Sequence, residues 1–558
     1  MSAALPSTEP VDSPTRRPVS VLWVALALLW FAPLNSPHLF DPDEGRYGEI
    51  PREMVASGDW VTPRLDGIKY FEKPALGYWA TAVAFELFGQ HAWTVRLWPA
   101  LAGFLGLLLT GWLARALYGA RAAMLAVLVQ AGAMLYIGLS RIATLDMGLS
   151  LALQLAMTAL VLLATPAQSP ARTSWRSPLL LGIGVALAVL IKGLVGIVIP
   201  GAVAVIYLLI YRDWRLLARA QPWWTLIALA LIGAPWFALV SVRNPEFAHF
   251  FFIFQHFERY LNSAQFDRYQ PVWFFLPILA LGFMPWTTLL PGALRRGWHA
   301  ARQGERATAM LIIWALFILV FFSLSQSKLT PYILPMLPAL CLLTGRAIAD
   351  MQAPRFAAHL TAVAIIGLLI ALTIVLLWPL PAMAAVVARA STSAILGLTL
   401  AWLLLGLGAA IGAVLARRGI VLGAAAAVTL GGLLLAQSAL LAAEQLPRMR
   451  SLVTLEHVLQ KQAQPATRLF CVGNFLQPIP FYLQRACTLV GYRGELDFGL
   501  RQEPWLGIAD VRALVPIWQQ QSDALAIVRP EDYRQMQALG APMRVIYTGE
   551  SLVAVSRQ

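Results

Sequence analysis

Long apolar runs joined by short polar segments make up most of the chain. They fall at 19–34, 92–114, 122–139, 147–164, 178–191, 193–210, 222–241, 271–291, 307–323, 331–349, 357–378, 393–415 and 420–442. A membrane-spanning helix needs about 20 mostly apolar residues, so the pattern predicts a polytopic α-helical membrane protein with about thirteen spans. Lys192-Gly193 splits the 178–210 stretch. The run at 75–88 is too short for a span and reads as a juxtamembrane helix lying along the surface. Residues 1–18 form a polar tail. No small-residue cleavage site follows the first apolar run, so that run reads as a retained helix.

Composition supports this reading. Of 558 residues, 59% are hydrophobic and 13% charged, against about 25% charged in a soluble domain. A net charge of +14 would suit nucleic acid, but the basic residues sit in short clusters between apolar runs. With the N-terminus cytoplasmic, Arg115, Arg121, Arg172, Arg176, Arg212, Arg215, Arg219, Arg295, Arg296, Arg302, Arg306, Arg346, Arg355, Arg417 and Arg418 all fall on the cytoplasmic side. That is the positive-inside pattern, and it excludes a nucleic-acid partner. An odd number of spans puts the C-terminus outside.

The pattern changes after about residue 443. Short strands are predicted at 467–473, 479–483, 487–491, 524–529, 544–547 and 552–555, with helices at 451–463 and 508–521. Residues 443–558 therefore read as an external α/β domain, following a membrane domain at 19–442. Cys341 lies inside a span. Cys471 and Cys487 lie in neighbouring predicted strands, where an oxidising compartment permits a disulfide and the unknown register leaves pairing open.

The external loops are 35–91, 140–146, 242–270 and 324–331. Residues 41–74 hold Asp41, Asp43, Glu44, Glu49, Glu53, Asp59, Asp66 and Glu72, eight of the 28 acidic residues. Such a cluster beside a span must face water or a ligand, and it reads as the front wall of an active site. The segments around Asp146, around Arg259 and around Lys328-Tyr332 share its face. Carboxylates opposite Arg, Lys and Tyr side chains suit one task, in which the cations hold a lipid-borne phosphate while the carboxylates act on a sugar or its acceptor. Plainer roles compete. Asp41 or Asp43 would cap a helix over 44–54, and Asp146 one starting at 147. Lys73, Arg259 and Lys328 would snorkel at the interface, and Lys192 would touch lipid headgroups. Glu72 and His256, from different loops, could share a divalent metal. They lack zinc-site spacing, so a surface histidine is the plainer reading and no cofactor is required. No nucleotide-binding glycine motif follows a predicted strand.

The stretches Asp43-Glu44-Gly45-Arg46-Tyr47-Gly48-Glu49-Ile50, Arg52 to Trp60, Tyr70-Phe71-Glu72-Lys73-Pro74 and Gly77-Tyr78-Trp79 resemble the bacterial lipid A aminoarabinose transferases. These belong to the protein-mannosyltransferase-like group with the GT-C fold. Asp146 after Thr144-Leu145 and Ser327-Lys328-Leu329-Thr330-Pro331-Tyr332 also look like that family. The resemblance covers the whole chain, the external domain in size and placement only. It implies a multi-pass inner-membrane enzyme with its site and C-terminal domain in the periplasm. The implied donor is undecaprenyl phosphate-linked 4-amino-4-deoxy-L-arabinose, the acceptor a lipid A phosphate, and the outcome resistance to polymyxin. It implies Asp43 at the reaction centre, for which Asp146 is the second catalytic candidate, and Arg46, Tyr47, Tyr70 and Lys73 around the donor phosphate. Charge and side extend that ring to Arg259, Lys328 and Tyr332. The competing readings are a transferase for another sugar or a protein acceptor, and a polyprenyl-lipid flippase.

Overall fold

The computed structural model describes residues 16–165, 175–258, 269–378 and 391–557. Helices occupy all the predicted apolar runs. Among the described residues, eight helices are long and apolar enough to cross a membrane, or nine with one bent pair counted as a span. The chain is a multi-pass membrane protein. The first long helix, Ala92–Gly132, is two helices meeting at Gly119, whose φ of 86° only glycine adopts cheaply.

The predicted span at 271–291 is not straight. Val272–Gly282 and Thr287–Arg302 meet at 113°. Pro285 has no N–H to continue a helix, the Met134 amide donates to the Met284 carbonyl at 3.1 Å, and Trp286 is fully buried at the corner. Beyond the corner Arg295, Arg296 and Arg302 make the second helix amphipathic, and their charges need water or a partner.

The C-terminal unit is a six-stranded sheet. Its strands follow a short hairpin, β1 (Arg64–Leu65) and β2 (Ile68–Lys69). They are β3 (Arg468–Val472), β4 (Thr488–Val490), β5 (Gly507–Ile508), β6 (Ala524–Val528), β7 (Arg544–Thr548) and β8 (Val553–Ser556). Their order is β5-β4-β3-β6-β8-β7. The first four are parallel, and β8 and β7 add antiparallel. β6 is buried along its whole length, as a parallel strand covered on both faces must be. The predicted strand at 479–483 is instead the helix Pro478–Leu483. Pro478 and Pro480 cannot donate to a ladder, and Pro478 suits a helix's first turn. Cys471 and Cys487 form a disulfide with a Cα separation of 5.9 Å.

The β1-β2 hairpin fastens the charged island to this sheet. Both Nη atoms of Arg64 reach the Glu503 carboxylate, at 2.9 and 3.0 Å. Asp66 accepts the amide of Cys487 at 2.5 Å. Gly499 packs so closely on the hairpin that a Cβ there would lie 2.3 Å from the Lys69 carbonyl oxygen. Glu49 pairs with Arg52 through two bonds of 2.6 Å, and Lys69 with Glu246 at 2.8 Å. Much of the island's charge is therefore structural.

Glu456, on the helix Pro447–Gln462 that leads into the sheet, is 3% exposed. Burial pushes its carboxyl up from 4.5 to about 7, against the pull of His38. The folded chain therefore holds this proton between about pH 4.5 and 7 where the unfolded chain releases it, and stability falls as pH rises through that window. Glu456→Gln is expected to flatten this slope and raise the thermal midpoint at pH 8 but not at pH 4.5, as measured by thermal unfolding in detergent.

Candidate active site

The island helix runs Asp43–Ser57 and begins at Pro42 without a side-chain cap. The capping role open to Asp41 and Asp43 is thus not what Asp43 does, because Asp43 is already helical. Its neighbour Glu44 turns inward and is fully buried. Glu44 accepts from Arg96 Nε at 2.8 Å and Nη2 at 2.6 Å, from the Ala143 amide at 2.8 Å and from the Phe40 amide at 3.0 Å. One carboxylate thus ties the island helix to the loop that carries Asp146. Gly77 lets the helix Leu76–Phe88 approach the same loop, since a Cβ there would lie 2.1 Å from Leu145 Cδ2.

Asp43 points outward, its side chain 56% exposed, and meets Arg46 one turn on at 3.2 Å. Arg46 is the hub of the site. Its Nε donates to Gln477 Oε1 at 3.2 Å and its Nη1 to the Tyr70 hydroxyl at 3.1 Å. Nη1 also lies 3.1 Å from Glu495, to which the Tyr70 hydroxyl donates at 3.2 Å. Burial works against the Arg46 charge, but the carboxylates of Glu495 and Asp43 oppose it and keep the guanidinium protonated. Burial raises Tyr70 well above the ordinary phenol range, with Glu72 adding to it, so Tyr70 keeps its proton as a donor. Tyr47 stacks on Tyr78 at 6.0 Å and lies within electrostatic reach of Asp43, Asp146 and Glu72. A small cleft opens between Tyr47, Tyr78, Thr144 and Leu145.

Asp146 starts the helix Asp146–Ala164 at its first turn and makes no cap bond; Leu145 is at the cap. Its carboxylate instead takes the Lys192 ammonium at 2.5 Å. Lys192 ends the helix Arg176–Lys192, and the turn at Gly193, φ 76°, releases it toward the site. The ammonium lies 5.2 Å from the Tyr332 ring centroid and within electrostatic reach of Asp43. Three of the four predicted segments thus converge, and Lys192 joins them instead of standing as a headgroup contact.

The remaining predicted residues behave differently. Lys73 Nζ donates to the Glu72 carbonyl at 2.9 Å. The Lys328 ammonium is buried and donates to the backbone carbonyls of Gln270 and Ser325. It therefore fastens its own loop to the one before it. Arg259 and the His256 side chain lie outside the described residues, and Glu72 is within electrostatic reach of Tyr70, Tyr47 and Glu495. Among the described residues no three His, Cys, Asp or Glu side chains gather as a metal set. Sequence reasoning left Glu495 and Gln477 unassigned. The one available signal was position, since both follow the carboxyl ends of parallel strands, where such sheets place functional loops.

The chain as a whole is similar to known proteins. Residues 455–557 match the family described as aminoarabinose transferase C-terminal domain, and residues 19–251 match dolichyl-phosphate-mannose-protein mannosyltransferase. The crystal structure of ArnT from Cupriavidus metallidurans bound to undecaprenyl phosphate superposes with a TM-score of 0.89 at 36% identity, over 98% of this chain and 99% of that one. The chain belongs to the aminoarabinose transferase family. The family's apo crystal structure from the same organism gives a TM-score of 0.87 at 34% identity. The undecaprenyl phosphate-alpha-4-amino-4-deoxy-L-arabinose arabinosyl transferase of Aeromonas salmonicida is 37% identical over 326 residues, 58% of each chain. That of Pseudomonas aeruginosa is 38% identical over 338 residues, 60% of each. The chain thus spans about three-fifths of the length of these curated relatives.

Proposed function

We propose that this protein transfers 4-amino-4-deoxy-L-arabinose from undecaprenyl phosphate to a lipid A phosphate at the periplasmic face of the inner membrane, lowering affinity for polymyxin and other cationic peptides. The family supports the donor. The observation that carries the reading is the cluster itself: one guanidinium and one ammonium, each paired with a carboxylate, converge around Tyr47 beside the membrane helices. In this reading residues 1–18 are a cytoplasmic tail, 19–442 the membrane transferase domain and 443–558 a periplasmic domain.

The bond between the anomeric carbon and the donor phosphate oxygen breaks, and a bond from that carbon to a lipid A phosphate oxygen forms. Undecaprenyl phosphate leaves with the electron pair. Arg46 and Tyr70, joined by Lys73, Arg259 and Tyr332, gather its charge, and such positioned donors are worth most where charge develops. Lys328, held by its two carbonyls, serves by fixing the loop that presents Tyr332. The acceptor phosphate is already ionised and needs no strong base. Asp43 therefore orients the sugar, and the Asp146–Lys192 pair fixes the floor beneath it. The acceptor phosphate oxygen attacks the anomeric carbon directly, so a single displacement inverts it. Glu72 and His256 are the candidate pair for a divalent ion, which the scheme does not require.

The test is acceptor labelling. The full chain in lipid nanodiscs, given a radiolabelled donor, is expected to label lipid A and to leave dephosphorylated lipid A and periplasmic protein unlabelled. Label in protein, or none in lipid A, would overturn the proposal.

A further inference from the structure

Two residues of the C-terminal unit reach the centre of the membrane domain's site. The loop after β3 delivers Gln477, and the loop after β4 delivers Glu495. The Gln477 amide donates to Glu495 Oε1, and the Tyr70 hydroxyl donates to Oε2. The Glu495 side chain is 17% exposed. Burial raises its carboxyl, and the nearby Glu72 and Asp43 add to that effect while Arg46 opposes it. In this structure its cation is Arg46.

Arg46 faces two carboxylates, Asp43 and Glu495, so the pocket holds more acid than one guanidinium balances. A donor phosphate needs Arg46 too, and can take it through two parallel bonds where Glu495 has one contact. Once Arg46 turns to it, Glu495 keeps only the neutral Tyr70 hydroxyl and Gln477 amide. A largely buried carboxylate stripped of its cation is strongly unfavourable, unless the incoming molecule supplies one.

We propose that Glu495 receives the ammonium group of the donor's amino sugar, so that the C-terminal unit reads the sugar's charge while Arg46 reads its phosphate. This rests on the transferase reading above. The ammonium donates to the Glu495 carboxylate as a charge-assisted hydrogen bond. A sugar with a hydroxyl at that carbon brings no charge and leaves Glu495 unbalanced, and sites built around a polar partner reject analogues lacking it by large factors. Glu495 is thus a specificity-determining residue, positioned by Gln477 and Tyr70.

The experiment uses the full chain in nanodiscs, lipid A, and two synthetic polyprenyl phosphate pentoses carrying a 4-amino or a 4-hydroxyl group. The native chain is expected to favour the amine in kcat/KM by about 100-fold or more. Glu495→Gln is expected to cut that ratio to below about tenfold, by losing rate with the amine while the hydroxyl donor holds or gains. Undecaprenyl phosphate alone, which brings no ammonium, is expected to bind Glu495→Gln at least as tightly as the native chain, which also reports that the variant is folded. Glu495→Asp, which keeps the charge, recovers most of the preference. Equal loss with both donors, an unchanged ratio, or equal losses in the Gln and Asp variants would overturn the assignment. A native chain that transfers neither sugar would instead bring down the transferase reading, and is read without any variant.

Discussion

Glu44→Gln is expected to destabilise the protein by about 3–5 kcal/mol, the usual result of breaking a buried ion pair from one side. Glu44 and Arg96 are 0% and 1% exposed in their side chains. Arg96 also donates to the carbonyls of Leu34, Pro37 and His38, so the guanidinium cannot swing out to water without stranding three acceptors. A glutamine in place of Glu44 presents an N–H₂ to a cation and loses either Ala143 or Phe40 as a donor. The thermal midpoint in detergent, followed by intrinsic tryptophan fluorescence, should fall clearly below that of the native chain. The apolar double variant Glu44→Leu/Arg96→Met sharpens the test. A simple ion pair would be replaced at little cost, but here the double variant should stay destabilised because the three carbonyls remain unserved. Full recovery would show that Glu44 and Arg96 only neutralise each other.

Asp43→Asn should behave in the opposite way, leaving the fold intact and abolishing transfer. The Asp43 side chain is 56% exposed, and Arg46 keeps Gln477, Tyr70 and Glu495 without it. Asparagine has the same shape, so the thermal midpoint and the binding of undecaprenyl phosphate should match the native chain. A side chain that holds the reacting sugar in line is worth roughly 10²-fold or more, and single-turnover transfer should slow by at least that factor. A variant that transfers within tenfold of the native rate would remove Asp43 from the reaction centre and pass the role to Asp146.

What could be read along the chain followed from how local each signal was. The membrane helices were legible because lipid imposes a length and a composition on every span. The bend in the 271–291 run was not legible, because its apolar stretch runs through Pro285 without showing that Trp286 turns a corner. The helix Pro478–Leu483 was taken for a strand on Ile479, Phe481, Tyr482 and Leu483, although Pro478 and Pro480 argued otherwise. Asp43, Arg46, Tyr47 and Tyr70 lie within 28 positions of one another, so a single charged stretch announced them. Lys192 and Glu495 did not announce themselves. Each is one charge at the end of an ordinary element, and its meaning comes from Asp146 and Arg46, far away in sequence. Cys471 and Cys487 could not be joined on spacing alone, because pairing depended on the register of β3 against β4.

The hairpin at 64–69 also governs how such proteins can be recombined. Its Arg64 is matched to Glu503 and its Asp66 to an amide beside the disulfide, more than 400 positions downstream. A chimera joined near residue 443 would inherit the lock from one parent and the key from the other. Functional hybrids between relatives should therefore arise mainly when residues 64–69 travel with the terminal sheet.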